Sequence, residues 1–354
     1  MSTSAAPTYD SSLVIDYPAR DMTITVKAEM PCSLLQQILR QEGQTLPIDA
    51  ASEQTTVGEL VLQDHCGPRQ FGYGTLRDYV IGVAAVDGFE RLFHAGGRVV
   101  KNVAGYDLCR LLTGSRGLLG QLQHVTFKVR PLPTTQKLLI AGFRNLHNLE
   151  QALTRLNTTA ATPIILDVVG RHSIPDLLCS KSLLPDPATP ILDSNAVLVL
   201  GFDGPENACQ WQIATVIDEL SDLPVWTNSQ LPPDALQQWL LTAQKHSFPT
   251  QPPAWLASVT IPPSQVCAII DAMNQRHCCV FGRAGNGRLW CWPAAADEGQ
   301  SATDEQTGIT ALHQLTADGP GSVHVLHAES ATSTPRSAAV RTYSSRLQQA
   351  FGTS

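Results

Sequence analysis

The chain is poor in several things, and each shortage closes off a class of function. Among its 354 residues there is no CxxC pair, although there are nine cysteines. Cys32, Cys66, Cys109, Cys179, Cys209, Cys267, Cys278, Cys279 and Cys291 are scattered and odd in number. That excludes a ferredoxin-type iron–sulfur cluster held by this chain and argues for reduced, buried thiols over a disulfide framework. No apolar run approaches the roughly 20 residues that span a bilayer. The first residues, MSTSAAPTYDSSLVIDY, have no basic start and no long apolar run, so they do not read as a signal peptide. Positive charge is also scarce: 24 Lys+Arg against 31 Asp+Glu leave a net charge of -7, which disfavours a nucleic-acid or anionic-membrane surface. A soluble, intracellular protein is expected. What remains is ample core material, 43% hydrophobic, in a length that suits two or three domains.

Hydrophobic spacing predicts strands over 13–17 and 22–28, then a helix over Leu34–Gln41 with Ser33 as its cap and Gly43 as its stop. Residues 79–86 read as an apolar strand. Asp87-Gly88 reads as a hairpin turn into a strand at Glu90–His94. A short helix is expected over Tyr106–Thr113, with Leu108, Leu111 and Leu112 on its apolar face. A strand then carries Val125, Phe127 and Val129 up to Pro131 and Pro133. RPLPTTQ (130–136) predicts a domain boundary. Beyond it, strands KLLIAGF, PIILDVV and NAVLVLGF and helices at Asn145–Asn157 and Glu206–Leu220 follow the order of a β-α-β-β-α-β unit. Residues 293–308 and 328–339 read as mobile loops, and no internal repeat is visible.

The segment Gly96–Val129 is dense in glycine, which a fold tolerates where the chain turns tightly or where backbone must approach a ligand. Lys101 and Asn102 offer a charged donor and an amide. Gly105 precedes a helix start at Tyr106-Asp107, and Gly114, Gly117 and Gly120 mark a second turn. No Walker loop and no GxGxxG turn is present. Taken alone, these residues predict a cleft lined by backbone.

KNVAGYDLCRLLTGSRGLLGQLQHVTFKV, together with GPRQFGYGTLRDYVIGV upstream (67–83), resembles the flavin domain of the vanillyl-alcohol oxidase / p-cresol methylhydroxylase (VAO/PCMH) superfamily. Within that superfamily it is most similar to the FAD-binding (E) subunits of bacterial glycolate oxidase, over about Leu13 to Pro133. The resemblance implies an α+β fold: a partial PCMH-type FAD-binding domain (1–133) followed by a ferredoxin-like α+β cap domain (134–354). It implies FAD contacts from Gly72, Tyr73 and Gly74, from Lys101, Asn102, Gly105, Tyr106 and Asp107, and from Gly114, Gly117, Gly120 and Gln121. It also implies partners: a catalytic flavin subunit and an iron–sulfur subunit, in a cytoplasmic complex that such partners could attach to the inner face of the membrane.

Two departures from the pattern bear on the cofactor. The family's glycine-rich pyrophosphate loop should precede LVIDYPARD, yet MSTSAAPTYDSS holds no glycine. Glu59 stands in TTVGELVLQDH (55–65) where the family has a second glycine, so a carboxylate is expected to crowd an anionic cofactor. Three functions follow as expectations: an accessory flavin subunit that oxidises 2-hydroxy acids such as glycolate within a complex, a non-catalytic scaffold of the same ancestry that has lost FAD, or a module binding another small ligand. FGRAGNGRLWCW (281–292) is similar to a His-Ala-Gly motif of the catalytic D-type subunits, with Arg283 at the histidine's place. Arginine neither ligates metal nor acts as a base near neutral pH, so the stretch reads as a glycine turn between strands. His277-Cys278-Cys279 with Cys291 lacks the spaced pairs of a zinc site and reads as core. His65-Cys66 reads as a surface histidine beside a buried thiol rather than a flavin tether. No catalytic residue and no metal ligand is assigned.

Overall fold

The computed structural model describes residues 11–97, 106–179, 183–184, 190–247, 253–294, 305–317, 319–328 and 349–352. The chain divides into two compact units. The first comprises Met1–Gly67, Gly74–Leu132 and Arg336–Ser354; the second comprises Pro68–Tyr73 and Pro133–Pro335.

In the first unit β1 (Val14–Asp16) pairs with β2 (Thr23–Lys27), and helix α1 (Cys32–Gln41) follows. The two-residue strand β3 (Gln44–Thr45) leads to α2 (Val57–Gln63). The four-residue helix α3 (Gln70–Tyr73) counts with the second unit. Back in the first come β4 (Val80–Val86), β5 (Leu92–Gly96), α4 (Leu108–Leu112), β6 (Gln121–Lys128) and β7 (Arg130–Pro131). The main sheet is antiparallel in the order β1-β2-β6-β4-β5, and β3 pairs separately with β7. Alternation sets its inner face. Ile24 and Val26 of β2 and Val125 and Phe127 of β6 are fully buried, against Leu35, Ile38 and Leu39 of α1. Each such side chain contributes about 1.5–3 kcal/mol on burial. Leu122 and Val125 both face inward because the β4–β6 register slips between Ala84 and Ala85.

Two local expectations change here. Helix α1 begins at Cys32, after Pro31, and Ser33 lies inside its first turn, donating to the Glu53 carbonyl. Pro31 at the cap position leaves the hydroxyl no end to cap. The β4–β5 hairpin is not a two-residue Asp-Gly turn. Asp87 Oδ1 accepts the N–H groups of Phe89 and Arg91, Glu90 turns left-handed at φ 61°, and the return strand starts at Leu92. The Asp87 side chain organises five residues where two were expected. The last described residues return to this hairpin: Gly88 N–H donates to the Phe351 carbonyl at 2.7 Å, and the Phe93 and Phe351 rings lie 6.1 Å apart.

The second unit continues with β8 (Thr135–Phe143), α5 (Leu146–Leu156), β9 (Ile165–Gly170), β10 (Ala196–Gly204), α6 (Glu206–Glu219) and β11 (Val225–Asn228). Then come α7 (Ala235–Ser247), β12 (Trp255–Thr260), α8 (Val266–Asn274), β13 (Cys278–Arg283), β14 (Arg288–Pro293), α9 (Glu305–Thr316) and β15 (Ser322–Ala328). They build one antiparallel eight-stranded sheet in the order β11-β8-β10-β9-β13-β14-β12-β15. That order contains two β-α-β-β-α-β halves. Leaving α7 aside, β8 to β11 form one and β12 to β15 the other, joined second strand to second strand through β9 and β13. The structure therefore holds an internal duplication of topology that the sequence does not display. Helix α9 starts at Glu305, inside the stretch expected to be loop; 295–304 and 329–339 lie outside the described residues.

Both faces of this sheet are covered. Leu166, Val168 and Val280 face a core built with α5, α6, α8 and α9. Ile165, Val169 and Phe281 face a second core with Trp239 of α7 and the segment around Leu177 and Leu178. Double burial explains why β8, β9 and β10 read as continuous apolar runs rather than alternating ones. The fold is mixed α+β, and among the described residues no helix is long and apolar enough to cross a membrane.

Candidate functional site

Of the residues singled out by sequence, Gly114, Gly117, Gly120 and Gln121 lie in one turn of the first unit, between α4 and β6. The turn needs its glycines. Gly114, Gly117 and Gly120 have φ of 81°, 77° and 135°, where side chains rarely go. A Cβ on Gly120 would stand 2.5 Å from the Val86 carbonyl oxygen, so β4 and this turn meet only through glycine. At Gly117 a Cβ would meet open space. That glycine is required by its backbone angle and leaves open space beside it.

Most backbone donors of the turn are already used. Gly114 N–H reaches the Val61 carbonyl at 2.9 Å and Arg116 N–H reaches Leu62 at 2.8 Å, which pins the turn to α2. Ser115, Leu118 and Gly120 donate within the segment. Arg77 braces it from below, donating to the Thr113 carbonyl at 3.1 Å and pairing with Asp64 at 3.3 Å. Donors remain. Among the described residues Ser115 Oγ is buried with no hydrogen-bond partner and Gly117 N–H makes no bond, and Arg116 is exposed. An amide and a guanidinium beside open space, with the Ser115 hydroxyl buried in the same turn, suit the acceptor-rich edge of a ring or a phosphate oxygen. The glycine motif passed over Ser115 and Arg116. Their only sequence signal is their place between Gly114 and Gly117.

The other expected contacts are placed differently. Asp107 caps α4, accepting Arg110 N–H at 3.0 Å, and Tyr106 beside it is 91% exposed. Behind α4, burial and the nearby Asp107 charge push the Cys109 thiol up to about 11. Gly72 is spent on packing: its N–H reaches the Ile164 carbonyl at 3.2 Å, and a Cβ there would fall 2.6 Å from Ile164 Cα. Tyr73 donates its hydroxyl to Asp203 Oδ2 at 2.6 Å. Gly74, at φ 85°, makes room for the Thr75–Asp78 turn, whose Thr75 N–H and hydroxyl hold the Asp78 carboxyl below the usual range. Lys101, Asn102 and Gly105 lie outside the described residues.

The Glu59 carboxylate is tied into the start of its own helix. It accepts Thr56 N–H at 2.9 Å while the Glu59 N–H donates to Thr56 Oγ1, a capping box that closes the start of α2. Val57 and Gly58 donate to the carbonyls of Met30 and Ala28. The first turn of α2 therefore has no donor left for a phosphate, and this part of the unit does not fit the cofactor's diphosphate.

The second unit contains a buried ion pair at the β9–β13 junction. Arg283 Nη1 lies 3.0 Å from Asp167 Oδ2, which also accepts Trp239 Nε1–H at 2.9 Å. The two charged side chains are 3% and 0% exposed. Arg283 lies over the Phe281 and Trp290 rings, and among the described residues neither its Nε nor Trp290 Nε1 has a partner. The adjacent cysteines are core: burial pushes the Cys279 thiol up to about 12 and raises that of Cys291 as well.

Comparison with known proteins gives these geometries a context. Residues 10–96 match the family described as "FAD binding domain". The chain is 27% identical over 78% of its length to glycolate oxidase subunit GlcD of Bacillus subtilis, and 37% identical over 34% of its length to glycolate oxidase subunit GlcE of Escherichia coli. It is 33% identical over 36% of its length to a D-2-hydroxyglutarate dehydrogenase of Xanthomonas citri pv. viticola. It spans only 60%, 35% and 27% of those three proteins. In structure it resembles alkyldihydroxyacetonephosphate synthase, with a TM-score of 0.67 at 15% identity, over 96% of this chain and 63% of that one. These findings support FAD as the cofactor, and the chain has the α+β fold of that synthase, with residues 10–96 matching an FAD binding domain.

Proposed function

We propose that the chain is a flavin-binding subunit of the VAO/PCMH superfamily, working in a glycolate oxidase-like complex. Residues 1–133 would supply part of the flavin site and 134–354 the cap. The observation that carries this reading is the turn at 113–121, where the unpartnered Ser115 hydroxyl and the open space at Gly117 sit within a segment held by α2 and β4. Ser115 and Gly117 N–H would hold the adenine half of FAD, with Arg116 near its phosphates. The relatives are named for 2-hydroxy acids. A bound flavin would accept the two electrons released when a 2-hydroxy acid becomes a 2-oxo acid. The chain's own share is to bind and orient the cofactor; the substrate-activating base and the iron–sulfur acceptor are assigned to partner subunits at the cytoplasmic side.

A second reading rests on α2, whose start is closed by its own capping box. Under it the chain is a scaffold that keeps the fold for assembly and holds no FAD. Purification with and without the co-expressed partner subunits separates the two. Yellow protein that releases FAD on denaturation, and whose Ser115→Ala variant retains less of it, supports the first. Colourless protein that takes up no flavin in either preparation, yet still binds its partners, rejects it in favour of the second.

A further inference from the structure

The helical side of the second unit carries a cleft of about 1100 Å³, the size class of small-molecule sites. It opens between α5 and α8, the first helices of the two β-α-β-β-α-β halves. It does not depend on the flavin reading, since every residue lining it belongs to the second unit.

Two asparagines frame one end. Asn274 Oδ1 accepts the Arg171 backbone N–H at 3.2 Å, and its Nδ2 donates to the Asn195 carbonyl at 2.8 Å. Asn195 Oδ1 accepts Arg171 Nη1 at 3.3 Å, and its Nδ2 donates to the Arg144 carbonyl at 2.7 Å. Both amides are spent holding arginines in place. Arg144 pairs with Asp193 at 2.6 Å, whereas Arg171 has no carboxylate among the described residues. Its remaining donors form a fork matched to an oxyanion.

Two imidazoles stand beside it. The His172 and His277 rings lie 5.0 Å apart, and His172 Nε2 is 3.1 Å from the Asn274 carbonyl. His277 holds a left-handed backbone at φ 51°, just past the end of α8. Glycine is the cheap residue there, so the chain keeps an imidazole at a strained position facing the cleft. The first turn of α5 also lines the cleft and adds positive potential. Further along, Glu150 and Asp271 line the walls and repel a second negative group.

We propose that this cleft binds a small polar molecule through an oxyanion head group, phosphate or carboxylate, held by Arg171 with His277, and that the rest of the ligand is uncharged or hydroxylated. The test is isothermal titration of the full-length chain with inorganic phosphate and, separately, with the monocarboxylate acetate, at constant ionic strength. Saturable binding of phosphate alone assigns a phosphate ester, of acetate alone a carboxylate, and of both the shared oxyanion chemistry. Arg171→Gln should weaken the binding at least tenfold. His277→Gly should weaken it too, while raising the melting temperature by relieving the left-handed strain. Arg40→Gln, exposed on α1 and outside both candidate sites, should leave it unchanged. The proposal is overturned if neither probe binds saturably, if Arg171→Gln and His277→Gly bind as the parent does, or if Arg40→Gln alone abolishes binding.

Discussion

Replacing Asp167 by alanine strands a guanidinium inside the second unit. Arg283 is 3% exposed and has Asp167 as its only carboxylate partner among the described residues, and its neighbours are the Phe281 and Trp290 rings. Breaking a buried pair by removing one partner costs about 3–5 kcal/mol, against a domain stability of about 5–15 kcal/mol. Asp167→Asn keeps the shape and an acceptor for Trp239 but loses the charge. It should cost less, about 1.5–3 kcal/mol, the worth of a hydrogen bond to a charged group. Replacing both residues by apolar ones of similar volume, Asp167→Leu with Arg283→Met, removes the desolvation penalty with the pair. That variant should lie between neutral and about 1–4 kcal/mol more stable. Urea unfolding followed by tryptophan fluorescence reads all three, because Trp239 and Trp290 border the pair. With a slope of about 1–3 kcal/mol/M, the alanine variant's midpoint should fall by on the order of 2 M. If Asp167→Ala shifts stability by less than about 1 kcal/mol, or the apolar double variant is as damaged as the single one, the charge argument is wrong and packing alone holds the junction.

Three further outcomes are expected. Gly120→Ala places a methyl 2.5 Å from the Val86 carbonyl at φ 135°; strain of about 1–3 kcal/mol should appear as a lower melting temperature of the first unit. Thr56→Ala opens the capping box of α2 and should cost about 0.5–2 kcal/mol by denaturant titration, with the loss spreading to the turn at Gly114 that α2 supports. Asp87 is held below the ordinary aspartate range, first by the Arg91 side chain and then by the Arg91 and Phe89 N–H groups. Its hairpin contribution should be complete above the ordinary value of about 3.9 and fade only as pH falls through the lower folded value; a carboxyl NMR titration with a midpoint at or above 3.9 would contradict the geometry.

Much of the fold is legible because some elements carry complete local signals. Asn145, then Leu149, Ala152 and Leu156 at helical spacing, marks α5 from cap to end, and the helix forms there. The second β-α-β-β-α-β half carries weaker signals. Helix α9 opens in a polar, acidic run and β12 sits among prolines, so neither period nor composition announces them. Their equivalence to α6 and β8 is one of topology and has no counterpart in residue identity. The glycine turn at 114–120 was readable because left-handed backbone leaves a residue-type signature. Ser115's unpartnered hydroxyl was not, since that is a property of its surroundings. Nor could the Arg283–Asp167 pair be seen, its members being 116 residues apart and brought together only by the β9–β13 register.

That register bears on how the second unit avoids sticking to itself. In either half alone, the second strand would be an outer edge, and all six residues of β9 and all six of β13 are buried side chains. Exposed, such strands are templates for promiscuous pairing. Each half instead blocks the other's edge, leaving β11 and β15 at the rims. The pairing is also selective. A stray copy of the first half offers no arginine opposite Asp167, because Arg283 ends β13 and its counterpart at the end of β9 is Gly170, so homotypic docking leaves the carboxylate buried without its partner. A fragment ending before β12 should therefore aggregate slowly and through its apolar rows rather than form an ordered dimer, and the full unit should remain monodisperse where the fragment does not.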